Sequence, residues 1–316
     1  MYKLRLLYPV HTIENELLLP QGAVLSSSTI NTLLSSRKSV SHKKFSLLQH
    51  GTVKKDIRAF LGQPPYSAIF SEKGKISALL ELMKEARFPR QFLQSMDYFY
   101  QKDFYTYTHI LMVFALSVLL AKDLISDRKK LIQQISVGPT HDIGKACVPL
   151  HILKKTTPLT RNERDILRQH SVTGYVLLCH YLHDKQSLAA KVARDHHERR
   201  DGSGYLRGIH LNNRMIEVIA ACDVYDALIS TRPYRSGSYD NRTALEEITR
   251  MAEENKIGWD VVKALVAHYR KEKTHYSKIR ISKLKRGVPP SGNLYGITAE
   301  DLASLPGSIR TKKSKN

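Results

Sequence analysis

Apolar positions recur at three- and four-residue spacing over most of the chain, which predicts helices and not strands. The pattern opens at Lys75 to Arg87, where Ile76, Leu79, Leu80, Leu82 and Met83 carry it. A second helix is expected from about Phe104 to Lys122; its Ile110 to Ala121 run holds one serine among twelve residues. That run is too short to span a membrane and reads as a buried core helix. Lys129 to Val137 predicts a third helix, ended by Gly138-Pro139. Thr160-Arg161-Asn162-Glu163 is a capping box, in which the threonine hydroxyl and the glutamate carboxylate satisfy early amides reciprocally. The helix it starts is expected to carry His170. Asn213 to Thr231, Asp240 to Asn255 and Trp259 to Lys271 complete the helical set.

The beginning of the chain, to about Gly74, reads differently. Short extended candidates at Tyr2 to Leu7, Glu16 to Leu19 and Ala23 to Leu25 accompany a Pro20-Gln21-Gly22 turn, and Ser28 to Leu34 reads as a short capped segment. Arg37 to Arg58, rich in Lys, Arg, Ser and His and followed by Gly62-Gln63-Pro64-Pro65, reads as a linker or mobile loop. After residue 95 no convincing strand alternation remains. The expected fold class is therefore mainly α. An all-helical domain over 96–285 follows a small mixed α/β accessory domain with a basic linker over 1–95, and a basic, mobile tail covers 286–316.

Composition changes this picture at three points. The 316 residues suffice for a large and a small domain, each with its own core. Fifty Lys plus Arg against 29 Asp plus Glu give a net charge of +21, which implies an acidic partner. Nucleic acid, a nucleotide messenger, an anionic membrane and an acidic protein all satisfy that, as does a surface of solvated lysines. Cys147, Cys179 and Cys222 form no C-x-x-C pair, which argues against a zinc ribbon or disulfide framework and fits a reducing cytoplasm. Met1 to Leu19, broken by Lys3, Arg5, His11 and Glu14, lacks the order of a signal peptide.

Seven polar residues punctuate the apolar helices: His109, His141, Asp142, His170, His196, His197 and Asp223. They offer only nitrogen and oxygen, a set suited to Fe, Mn, Co or Ni, and they exceed what one four-coordinate zinc uses. Two divalent ions sharing a bridging aspartate would employ them all. Taken singly, His109 reads equally well as a core histidine, and His170 as a surface or capping residue. Asp223 is the strongest case, because a buried unpaired carboxylate among Ile, Ala, Val and Leu is too costly to leave without a cation. Glu198 and Asp201 read as partners that orient an imidazole through its second nitrogen. His151, His180, His183, His210, His268 and His275 lack such surroundings and read as structural or solvated. Lys145, four residues past His141, is expected one turn along the same helix, within reach of a phosphate oxygen, with an ordinary surface lysine as the alternative.

The string H-D-I-G-K over His141 to Lys145, followed in order by H-H-E-R-R-D-G-S-G-Y, D-V-Y-D-A-L and R-P-Y-R, resembles the HD-GYP family over roughly residues 100 to 270. The resemblance implies an all-helical HD-type phosphohydrolase domain that hydrolyses cyclic di-GMP through a hydroxide bridging two divalent ions, with iron expected and manganese the second choice. It implies the same seven ligands, with Asp142 as the bridge. It makes Asp142 and Lys145 catalytic and puts Lys145, Gly204, Tyr205, Arg232 and Arg235 on the dinucleotide. Two departures stand out. Leu206 replaces the family's proline, which restores an amide and frees φ. Tyr105 occupies the position where three-metal members carry a glutamate, so a binuclear centre is expected.

Leu17 to Ser26 is similar to small accessory domains that precede some members, which implies regulation or a signalling-protein partner. The leading expectation is thus a cytoplasmic cyclic di-GMP phosphodiesterase. A catalytically weak dinucleotide sensor that engages a partner comes second, motivated by Leu206 and the net charge. A nuclease or other nucleotide phosphohydrolase comes last. The basic residues cluster in flanking segments, Lys38 to Lys55 and Arg270 to Arg286, without aromatic stacking motifs.

Overall fold

The helix Phe104–Leu124 is the axis of the fold, and every residue from His109 to Ala121 on it is buried. A sequence with no polar face must be covered on all sides to be stable in water. Asp103 caps its first turn, accepting from the Thr106 amide. It is the one described helix long and apolar enough to cross a membrane, yet 83% of that apolar window is buried within the fold. Protein, not lipid, covers it here. The helices Val53–Leu61, Lys75–Met83, Arg90–Lys102, Arg214–Ile229 and Trp259–Ala267 pack directly against it.

The computed structural model describes residues 4–35, 43–231, 237–270, 272, 274–282, 284–291 and 297–304. Helices dominate them, and the named strands all precede residue 90. Leu4–Arg5 pairs with Val24–Leu25, Val10–His11 with Leu17–Leu19, and Lys44–Ser46 with Arg87–Pro89, each antiparallel. A mainly α fold with a small mixed region at its start is what the hydrophobic spacing led us to expect.

Local differences have local causes. Residues 44–61, which include most of the Arg37–Arg58 stretch read from composition as a linker, form a strand, a short 3-10 turn and the helix Val53–Leu61. Its buried residues, Val53, Ile57 and Leu61, recur at four-residue spacing, so one apolar stripe anchors a segment whose other faces are charged. Asp56 adds a polar tie by accepting from the Tyr107 hydroxyl on the central helix at 2.7 Å. The expected helix through His170 is two helices, Arg161–Arg168 and His170–Leu182, with Gln169 between them. The Thr160–Glu163 capping box is present at its start.

The N-terminal strands dock on the His170–Leu182 helix. Gln169 accepts from Leu7 N at 2.8 Å and donates to the Arg5 carbonyl at 2.9 Å, and the Tyr181 hydroxyl accepts from Ile13 N at 3.1 Å. Apolar residues from Leu6 to Ile279 belong to one continuous core. Residues 297–304, inside the stretch expected to be a mobile tail, are packed: Thr298 is 1% exposed, and Thr298 and Asp301 cap the short helix Ala299–Ser304 reciprocally. Arg161 N donates to Glu300 and the Arg161 guanidinium to Asp301, which fastens that segment beside the capping box.

Candidate metal centre and substrate cavity

Five elements deliver the seven candidate ligands to one place. His109 comes from the central helix, His141 and Asp142 from the 3-10 turns after Gly138-Pro139, and His170 from the first residue of its helix. His196 and His197 follow the helix Leu188–Asp195, and Asp223 sits within Arg214–Ile229. Gly144 allows the closest approach. A Cβ there would overlap the His170 carbonyl oxygen and the Gly174 amide, so the H-D-I-G-K glycine lets the Asp142 turn press against the His170 helix.

The ligand atoms form two groups, His109, His141 and Asp223 in one and His170, His196 and His197 in the other. Asp142 lies between them. Its Oδ2 is 3.4 Å from both His109 Nε2 and His141 Nε2, while its Oδ1 is 3.2 Å from His170 Nε2 and 4.0 Å from His196 Nε2. His109 Nε2 also lies 3.1 Å from Asp223 Oδ1.

Four imidazoles are held through their outer nitrogens. His141 Nδ1 faces the Gly138 carbonyl, His170 Nδ1 the Leu167 carbonyl, and His196 Nδ1 the Val192 and Ala193 carbonyls. His109 Nδ1 lies 2.7 Å from Asp226 Oδ2. A carbonyl can only accept, so the Nδ1 atoms of His141, His170 and His196 carry the protons and their Nε2 lone pairs point inward. His170 Nε2 is consequently 3.4 Å from His196 Nε2, an unfavourable meeting of lone pairs that a cation relieves, and His197 Nε2 lies 3.1 Å from His170 Nε2. The residues fit divalent metal ions on this ground, and carbonyl or carboxylate partners on the outer nitrogen are the usual support for ligating histidine.

Electrostatics agree. Burial opposes ionisation of Asp142, yet Lys145 and the imidazoles of His141 and His170 outweigh it and hold the carboxyl well below the usual range. Asp223 is likewise held low against burial by His109 and His197. Burial, helped by His141 and His170, pushes His196 down to about 3, and burial with His196 and His170 lowers His197 strongly. Burial would lower His109 too, but bonds to Asp223 and Asp226 reverse that and raise it to about 9.

Lys145 is not one helical turn beyond His141. It lies in the 3-10 turn Ile143–Cys147, which brings its Nζ back to Asp142 Oδ2 at 2.6 Å. Among the described residues neither the Glu198 nor the Asp201 carboxylate bonds to an imidazole. Glu198, fully buried, accepts from Arg207 N at 2.8 Å and Ile209 N at 3.1 Å and so pins the loop that presents Tyr205. Asp201 caps Ser203. Gly204 is required because a Cβ would run into the His197–Arg199 backbone, against which this loop is laid. Tyr205 stacks on His197 with ring centroids 4.4 Å apart, and Leu206 packs against the core. Tyr105 stacks over His109 at 6.0 Å. Arg232 and Arg235 lie outside the described residues.

Sequence reading missed the outer support. Asp226, fully buried, also accepts from the Tyr66 hydroxyl at 2.5 Å and the Ser230 hydroxyl at 3.0 Å. The signal was present, since Asp226 follows Asp223 by three residues on one helix and so shares its face. Tyr66 carried no such signal.

A cavity of about 420 Å³ opens on the metal cluster, lined there by His109, Asp142, Lys145, His170, His197 and Asp223. Its other wall is built from Lys155, Arg164, Leu167, Arg168, Tyr205 and Thr298. A second cavity of about 480 Å³ lies beyond His197 and Tyr205, with Arg199, Tyr239, Arg250 and Lys256 in its lining.

Comparison with known proteins adds the lineage. The HD domain family matches residues 81–261. A cyclic di-GMP phosphodiesterase of Pseudomonas aeruginosa is 39% identical over 157 residues, 48% of this chain and 36% of that protein. One of Thermotoga maritima is 35% identical over 154 residues, 48% of this chain and 40% of that protein. A 3'3'-cGAMP-specific phosphodiesterase of Vibrio cholerae is 37% identical over 140 residues, 42% of this chain and 31% of that protein. These matches span 31 to 40% of the relatives' own lengths. With more than half of its length matched and its motifs gathered into His/Asp clusters, the chain belongs to the HD-domain family.

Proposed function

We propose that this protein is a metal-dependent phosphodiesterase that hydrolyses cyclic di-GMP. The observation that carries the reading is Asp142, whose two oxygens face two separate groups of inward-pointing imidazoles. Such a carboxylate suits a pair of ions. His109, His141 and Asp223 would hold one, His170, His196 and His197 would hold the other, and Asp142 would join them. The all-nitrogen-and-oxygen set suits Fe, Mn, Co or Ni; iron, with manganese as the substitute, is the choice that the family resemblance implies. When bound, the pair supplies Lewis-acid polarisation of a phosphoryl oxygen and a bound water of lowered pKa.

The chain's own side chains do the rest. Lys145, held against Asp142, places a cation at the cluster's edge where negative charge grows on phosphorus or on the departing oxygen. Tyr205, stacked on His197 and fixed by Glu198 through its loop, offers an aromatic face to a base or a hydroxyl to a phosphate. Arg232 and Arg235 are assigned to the same substrate by motif, and Gly204 keeps the Tyr205 loop close enough to serve it. The curated relatives named for this activity support the choice of cyclic di-GMP, and one named for 3'3'-cGAMP marks the competing base preference. Three free cysteines fit a reducing, cytoplasmic setting.

The test is direct. Protein loaded anaerobically with Fe(II), and separately with Mn(II), is incubated with cyclic di-GMP and with 3'3'-cGAMP, and products are separated by chromatography. Metal-dependent conversion of cyclic di-GMP to linear dinucleotide or GMP is expected. Intact cyclic di-GMP after long incubation with both metal forms overturns the reading.

A further inference from the structure

Four cations line the cavity at the metal cluster, and their surroundings differ. Lys145 is bound to Asp142. Lys155 is bound to Glu163, the carboxylate of the capping box. Arg164 and Arg168 remain, four residues apart on the helix Arg161–Arg168 and therefore on one face, roughly 6 Å apart along its axis.

Among the described residues the one ion pair of Arg168 is a long, exposed contact with Asp165 at 3.8 Å. Its guanidinium carbon lies 4.7 Å from the Tyr205 ring centroid, and Tyr205 stacks on His197 at 4.4 Å. Two stacking steps thus lead from a metal-ligand candidate to Arg168. Arg164 lies one turn further on. Its Nε is buried with no hydrogen-bond partner among the described residues. An orphaned buried donor of this kind is costly, and an anion in the cavity would offset that cost. The cavity's carboxylates are not available for this, because Asp103, Asp142 and Asp223 are engaged by Thr106, Lys145 and His109. In the second cavity, by contrast, Arg250 pairs with Glu247 and Glu254, and Lys256 with Glu254.

We propose that Arg164 and Arg168 form a second phosphate site, which holds the phosphodiester that is not being cut while its twin lies at the His/Asp cluster. This rests on the cyclic dinucleotide reading above, since such a ring carries two phosphodiesters. Planar guanidinium forks suit phosphate oxygens, and the Tyr205 ring keeps that of Arg168 in place. The site makes the enzyme selective for diesters with a second anion. A simple diester reaches the metal cluster but leaves Arg164 unpaired.

The experiment compares wild-type, Arg164→Gln and Arg168→Gln enzymes, metal-loaded and full length, on cyclic di-GMP and on bis(p-nitrophenyl) phosphate, which has one phosphate. Thermal unfolding midpoints check that each variant folds. The ratio of kcat/KM for cyclic di-GMP to that for bis(p-nitrophenyl) phosphate is expected to fall about tenfold in each variant, through a raised KM for cyclic di-GMP. A ratio that stays at the wild-type value, whether both rates fall together or neither moves, overturns the second phosphate site. Wild-type enzyme that cleaves bis(p-nitrophenyl) phosphate but leaves cyclic di-GMP intact removes the substrate reading and this site with it, an outcome separate from an active enzyme with an unmoved ratio.

Discussion

Replacing Asp226 asks whether the metal centre depends on a carboxylate outside the ligand set. Asp226 is fully buried and serves three donors: His109 at 2.7 Å, the Tyr66 hydroxyl at 2.5 Å and the Ser230 hydroxyl at 3.0 Å. Asparagine there keeps the shape and one oxygen for His109 but removes the charge that makes its imidazole a better donor. Loss of such a partner typically costs 10- to 100-fold in metal affinity, about 1.4–2.7 kcal/mol. Alanine goes further, leaving the His109 Nδ1 proton without its acceptor, while the Tyr66 hydroxyl keeps Ser230 Oγ at 2.9 Å. That buried orphan costs about 1–3 kcal/mol, so the metal-free Asp226→Ala protein should lose about 1–3 kcal/mol of stability. The assay pairs a chelator-competition titration with Mn(II) against denaturant unfolding of the metal-free forms. Asp226→Asn should lose affinity while remaining close to wild type in stability. Wild-type metal affinity in Asp226→Asn refutes the argument that His109 is tuned through its outer nitrogen.

Three further changes probe other links. Gly144→Ala forces a methyl into the His170 carbonyl, so the Asp142 turn must move away; we expect a loss of about 1–3 kcal/mol in unfolding free energy and weakened binding of at least one ion, read by calorimetry. Gln169→Ala removes both hydrogen bonds that fasten the first strands beside His170, and hydrogen exchange at Leu7 and Arg5 should accelerate several-fold while the central helix stays protected. Ile57→Ala opens a void in the core of the segment first read as a linker and should cost about 2–5 kcal/mol, whereas a true linker would tolerate it without change in the denaturation midpoint.

How much of this was legible beforehand follows from what spacing encodes. The central helix and the Arg214–Ile229 helix were visible because a long run of apolar residues has few structural solutions. His196, His197 and Asp223 were visible because clustered imidazoles and a carboxylate in apolar surroundings need a shared explanation. Other features depend on contacts remote in sequence. Val53, Ile57 and Leu61 form a short stripe that composition hides among lysines, and only the central helix gives it a surface to bury against. Glu198 stands next to two candidate ligands, yet its oxygens are claimed by amides nine and eleven residues on. Tyr66 reaches Asp226 across 160 positions, a pairing that no local pattern announces. The Thr160 capping box predicted the start of a helix correctly but not its end at Arg168, and the break at Gln169 is what frees that side chain to hold the N-terminal strands.

The account turns on Asp142 joining two ion sites. An anaerobic titration of metal-free protein with Fe(II), with bound metal counted by mass spectrometry and repeated on Asp142→Ala, tests this most directly. Two equivalents bound by the wild-type chain, and loss of at least one in Asp142→Ala, is the result predicted. A single equivalent in the wild type, or two retained without Asp142, contradicts the account.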